Sequence, residues 1–357
     1  MQHRTHRIAA SLLAIALAVG SLVPASAQSA PENLGCPGRP GPRTGYHFEA
    51  QWQAFATYET LDLQGTGRPW AVALDHSCNV YVADSAGRRI VKYGPEGNQL
   101  ATFPIAPRPP ENEGPHGVAV DGSGNMYVAD YSMSVVRKLS PAGQEIAVWG
   151  TCATCDPSQP GQFVSPQAVA VDGSGNVYVL DEASDRVQRF SSAGKVLNVW
   201  GSQGEGSGQF AVAQGITIDR QGNVYVADTG NNRIQKFSAD GAFLGQWGSL
   251  ADGGNGFHMP TGIAVDGDGN MYVSDVFNWR VAKLASDGTL LDQWRHCEDD
   301  PDCTIPNGGS GLGEFFEQHG LAVDGQGNLY VADTGNNRVQ RRIMVEVPNP
   351  PDTDEAQ

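Results

Sequence analysis

The stretch VYVADTGNNRIQKF runs from Val224 to Phe237, and LYVADTGNNRVQRR, Leu329 to Arg342, repeats it 105 residues later. Chemistry needs a site once, whereas a structural unit is written wherever it recurs. Aligned on this phrase, the chain contains it six times. An Asp closes an apolar run at Asp75, Asp121, Asp172, Asp219, Asp266 and Asp324, and nine residues after each comes a second, at Asp84, Asp130, Asp181, Asp228, Asp275 and Asp333. Between them every unit places an Asn at the fourth step and a Tyr at the sixth.

The units are 46, 51, 47, 47 and 58 residues apart, the spacing of propeller blades. Each reads as four short strands. GVAVD is the first, and DGSGN is a tight turn whose Gly and Asn tolerate positive φ. NMYVAD alternates as a second strand, RIQKF is the third and FLGQWG the fourth. An aromatic stands 28 residues after the first Asp in five units, at Phe103, Trp149, Trp200, Trp247 and Trp294, but the sixth has Asp352 there. The missing strand is at the other end of the chain. FEAQWQ, Phe48 to Gln53, matches FLGQWG, Phe243 to Gly248, so Phe48 to Phe55 is expected to close the last blade. The fold class is all-β: a six-bladed β-propeller of four-stranded antiparallel blades, its ring closed by an N-terminal strand that removes open edges.

VADTGNNRIQKF, Val226 to Phe237, resembles the signature of NHL repeats, and the resemblance covers roughly residues 46–343. It implies a six-bladed propeller with a central channel lined by the first strands. For function it is a weak guide, because one fold hosts many activities.

The ends of the chain read differently. Arg4 and Arg7, the apolar run Ile8 to Leu22 and the small residues Ala25 and Ala27 form a signal peptide, residues 1–27, expected to be cleaved after Ala27. Residues 28–45 are then an N-terminal extension, and 344–357 an acidic, Pro-rich tail expected to be disordered. The protein is read as secreted or periplasmic, without a membrane span and monomeric. Its formal charge of -16 becomes -18 once Arg4 and Arg7 are removed, which disfavours nucleic acid and anionic membrane surfaces. Six cysteines in an exported chain suggest disulfides. Cys152 and Cys155 share one loop, Cys297 and Cys303 another, and Cys36 and Cys78 remain as the third pair.

The Arg five residues after the second Asp, at Arg89, Arg186, Arg233, Arg280 and Arg338 with Val135 as the exception, is expected to tie hairpins together. Function is then sought where the blades differ. Five residues before the first Asp, near the channel mouth, stand Trp70, His116, Gln167, Gln214, Thr261 and His319. His116, His319 and Gln214 lie on alternate blades, so two imidazoles and an amide oxygen could hold zinc or another divalent ion with open positions. The Pro-His-Gly at Pro115 to Gly117 resembles the peptidyl-hydroxyglycine amidating lyases, which implies His116 and His319 as ligands. Gln214 stands where a third His is expected, and the catalytic Tyr and Arg of that family find no place in the sequence. The long loops supply a second candidate surface: Glu298, Asp299, Asp300 and Asp302, able to attract Ca²⁺ or a basic partner, then Phe315 and Phe316. His258 is read as a surface residue. The sequence thus points to a binding scaffold for a protein, peptide or glycan, with a metal-dependent lyase or hydrolase as the alternative.

Overall fold

The computed structural model describes residues 57–62, 67–106, 113–150, 159–248, 256–295 and 313–343. These form six four-stranded antiparallel sheets and, among the described residues, no α-helix. Blade four shows the pattern. Its strands are Gly215–Ile218, Val224–Asp228, Arg233–Phe237 and Phe243–Trp247, paired in that order. The six first strands, Pro69–Leu74, Pro115–Val120, Pro166–Val171, Gly215–Ile218, Pro260–Val265 and Gln318–Val323, are each an edge of their sheet and line the channel.

The repeated Asp-Asn-Tyr is a lock on the first turn. Asp219 accepts hydrogen bonds from the Gln221 and Asn223 backbone N–H groups through one oxygen, and from Asn223 Nδ2 and the Tyr225 hydroxyl through the other. Asp75, Asp121, Asp172 and Asp266 repeat all four bonds, which is why these residue types recur at this spacing.

The hydrophobic core lies between blades rather than at the centre. Tyr127, Val136 and Trp149 of blade two pack on Phe163, Val177 and Phe190 of blade three. Each outer-strand aromatic also covers a glycine turn of the next blade, as Trp149 covers Gly194, where a Cβ would run into the indole. Truncating such a ring would cost about 3–5 kcal/mol. At the seam the covalent turn is absent, and the Arg342 guanidinium lies 4.1 Å over Trp294 instead.

An N-terminal strand does close the ring, but it is Thr57–Asp62, with Leu61 opposite Val339 as Trp247 is opposite Ile234. The expected segment, Phe48 to Phe55, lies outside the described residues. The Gln-Trp match misled because it reproduced a side-chain pattern, while backbone pairing to Arg338–Ile343 sets which segment closes a sheet, and the β-branched and aromatic run TYETL serves.

Candidate functional site

The strand order sorts the connections onto two faces. First strands start, and second strands end, at one face, so every link from an outer strand to the next blade arrives there, as does every turn between second and third strands. The opposite face carries near-identical tight turns such as Asp121–Asn125 and Ser140–Gln144. The long-loop face therefore holds nearly all the variation between blades.

The second Asp and its Arg anchor that face. Asp228 accepts from Arg233 Nε at 2.7 Å and from the Ala211 N–H of the incoming link, and Arg233 donates to the carbonyls of Glu205, Gly206 and Gln209. Asp84–Arg89, Asp275–Arg280 and Asp333–Arg338 repeat the pair at 2.6–2.7 Å, and Asp181–Arg186 is looser at 3.6 Å. In blade two, where Val135 interrupts the series, Arg137 reaches Asp130 at 2.8 Å from two residues further along the strand. The tie read from sequence is thus a clamp on the loop as well as on the hairpin.

Inside this rim the six non-repeating residues converge. Trp70, His116, Gln167, Gln214, Thr261 and His319 all line one cavity of about 70 Å³ at the channel mouth. Below them the channel widens to about 670 Å³ and runs to the turn face between the Val, Ala and Ile residues of the first strands. Trp70 contacts both histidines, stacked on His116 with centroids 4.1 Å apart and tilted against His319 at the same distance. Tyr131 stacks on His116 at 4.3 Å, and the Arg68 guanidinium sits 4.9 Å from the Trp70 ring. Trp70 was legible only as a difference between blades, and Tyr131 and Arg68 gave no sequence signal, because their neighbours come from turns and a different blade.

The polar atoms here are under-used. His116 Nδ1 meets Gln167 Oε1 at 2.9 Å, which orients the ring and makes Nδ1 the protonated nitrogen. His116 Nε2, His319 Nδ1 and Gln214 Oε1 are buried without a hydrogen-bond partner among the described residues. His319 is partly exposed as a residue, yet its Nδ1 is enclosed. Burial holds its pKa down at about 3, with His116 and Arg68 pushing the same way. Burial lowers His116 as well, against the hydrogen bond it donates to Gln167 Oε1 and the Glu113 carboxylate, 3.9 Å from Nε2. Both imidazoles are therefore neutral at physiological pH, and unpaired polar atoms of this kind are costly unless a ligand, ion or water meets them. Two nitrogens and a carbonyl oxygen fit a borderline divalent ion, although no three His, Cys, Asp or Glu side chains gather around one point among the described residues.

The other predicted residues separate. Phe315 is not a binding-loop residue: it is 1% exposed and packs with Trp294 and Leu321 between blades, as Phe163, Phe210 and Phe257 do in three of the other gaps. Phe316 is half-buried and stacks 6.1 Å from Trp279. His258 is exposed, as expected. Cys78 is fully buried and disulfide-bonded; Cys36, Cys152, Cys155, Cys297 and Cys303 lie outside the described residues, as do Asp299 and Asp300.

Six blades of this construction make the chain a six-bladed β-propeller, and the NHL repeat family model matches residues 210–237 and 319–341. No curated protein matches the sequence. Solved structures share the architecture. A streptogramin B lyase superposes with a TM-score of 0.58 at 14% identity over 81% of this chain and 98% of its own. A catalytically inactive variant of virginiamycin B lyase from Staphylococcus aureus, determined with quinupristin, gives 0.58 at 12% identity over 82% and 100%. A gluconolactonase from Xanthomonas campestris gives 0.58 at 19% over 81% and 90%. At these identities the likeness concerns the fold alone.

Proposed function

We propose that this protein is an exported propeller that binds a peptide, protein or glycan on its long-loop face, centred over the channel mouth. The observation that carries this reading is the convergence of the non-repeating residues on that one face, above a mouth cavity of about 70 Å³. The mouth itself is far below the several hundred Å³ that enclose a small-molecule substrate, and the channel of about 670 Å³ beneath it is not lined by the non-repeating side chains. A ligand therefore rests across the mouth, with Trp70 and Tyr131 as apolar contacts and His116, His319 and Gln214 as polar ones. Peptide and glycan arrays probed with residues 28–357 test it. Trp70→Ala with His116→Ala should abolish the hits, while Ser123→Lys with Ser174→Lys on the turn face should leave them. The reverse pattern would sink the proposal.

A second reading, a metal-dependent lyase or hydrolase, is favoured by the three buried atoms without a hydrogen bond among the described residues, one of which, His116 Nε2, lies 3.9 Å from the Glu113 carboxylate. His116, His319 and Gln214 would hold the ion, which would supply Lewis acidity when bound. Gln167 would keep the His116 tautomer that leaves Nε2 free. Tyr131, stacked on His116, and Arg68, over the Trp70 ring, are of the two residue types that the amidating-lyase resemblance implies. Elemental analysis of the protein purified without chelators decides this reading. About one transition metal per chain, lost on combining His116→Ala with His319→Ala, supports it, and no metal even after titration removes it.

A further inference from the structure

The turn after the second strand is Thr-Gly-Asn-Asn in blades four and six, Thr229 to Asn232 and Thr334 to Asn337, but Val276-Phe277-Asn278-Trp279 in blade five. The backbone does not change with the sequence. Asn232, Trp279 and Asn337 all hold φ of +51° to +54°. Asn adopts this left-handed conformation readily, whereas a bulky residue there is an outlier at about 1–2 kcal/mol. Blade five thus keeps a strained indole, and where its neighbours have Gly230 and Gly335 it presents Phe277, 48% exposed. Neither ring belongs to the inter-blade cores, which are built on Phe257, Trp294 and Phe315.

These rings belong to a row on the long-loop face, separate from the channel mouth. His258 lies 5.0 Å from Phe277, Phe277 meets Trp279 at 6.3 Å and 76°, and Trp279 stacks on Phe316 at 6.1 Å. Phe277 and Trp279 form a corner of two nearly perpendicular rings, the arrangement of an aromatic cage rather than of a flat stacking platform. Charge selects its occupant. The guanidinium of the same turn, Arg280, already serves Asp275, Gln293 and the Gly256 carbonyl. Glu317, beside Phe316, is exposed, and the chain carries a net charge of -16. Anions are repelled from such a surface, a neutral sugar gains nothing from its field, and a cation is drawn both by the field and by the ring faces.

We propose that the blade-five turn is a binding site for an organic cation, a quaternary or methylated ammonium head, with Phe277 and Trp279 as its walls and His258 at its rim. The site stands independently of the channel-mouth reading. Its test follows the methyl signals of choline by NMR at low salt and pH 8, with uncharged 3,3-dimethylbutanol as the shape-matched control. Phe277→Gly and Trp279→Asn install residues that blades four and six already carry in this backbone, so folding is preserved. Saturable choline binding near ~1 mM is expected, weakened at least about tenfold in either variant and for the control. An equal response to the uncharged control, binding unchanged in both variants, or no saturable binding to the native protein would overturn the proposal.

Discussion

Glu182 illustrates how a single residue is set against its blade. It occupies the turn position taken by Ser85, Tyr131, Thr229, Val276 and Thr334 elsewhere. Thr229 and Thr334 use it to tie the next blade, through the carbonyls of Pro260 and Pro69. The Glu182 carboxylate has no hydrogen bond among the described residues, and burial raises its pKa, helped by Asp185 and Asp181. A carboxyl whose folded pKa is raised holds its proton better in the fold than in the unfolded chain, so ionisation costs stability as pH rises above about 4.5. Glu182→Gln should therefore raise the Tm at pH 7, with the gain disappearing below pH 4. Thermal melts across that range check this, and a variant no more stable at neutral pH would show that the carboxylate is well solvated. The histidines teach a complementary lesson. Their identity and blade positions were readable from the sequence, but their neutrality was not, because it arises from enclosure by Trp70, Tyr131 and Gln167, which the chain supplies from three different blades.

Within an element, the second Asp is where hairpin, loop and strand meet. Asp228 is fully buried and accepts from Arg233, Asn231, Gln235 and the Ala211 N–H. Asp228→Asn keeps the shape but leaves Arg233 without its counter-charge, and should destabilise the protein by about 3 kcal/mol, the scale for breaking a buried pair. A urea titration reads this as a lower midpoint at unchanged slope. A loss below about 1 kcal/mol would mean that the loop carbonyls alone satisfy the guanidinium. A similar constraint acts where first strands approach the axis. A Cβ at Gly262 would collide with the His319 carbonyl oxygen of the next blade, so Gly262→Ala must push the mouth apart. Here the sequence held an overlooked signal: Phe163, Phe210 and Phe257 recur before the first strand just as Phe315 does, which marks Phe315 as a core residue.

For the whole molecule, stability depends on closing the ring. The seam is held by Thr57–Asp62 pairing to Arg338–Ile343, without a covalent turn. A chain beginning at residue 67 would leave the Arg338–Ile343 edge unpaired, and such an edge recruits other strands. Self-association should follow, together with a loss of cooperative unfolding, and light scattering with a thermal melt checks both. A monomeric, cooperatively melting truncation would mean that the inter-blade cores suffice without closure.

Six blades, their strand order and the need for an N-terminal closing strand were determined by the sequence, because each is written in a local period that every blade repeats and any alignment recovers. Tertiary structure alone decided which segment closes the ring, which face gathers the variation, and that Trp70, His116 and His319 touch. Those facts depend on contacts between residues as much as 286 positions apart, as Thr57 and Ile343 are, brought together by ring closure, and His319 and Trp70 are 249 apart. A repeat read along the chain holds no record of such contacts.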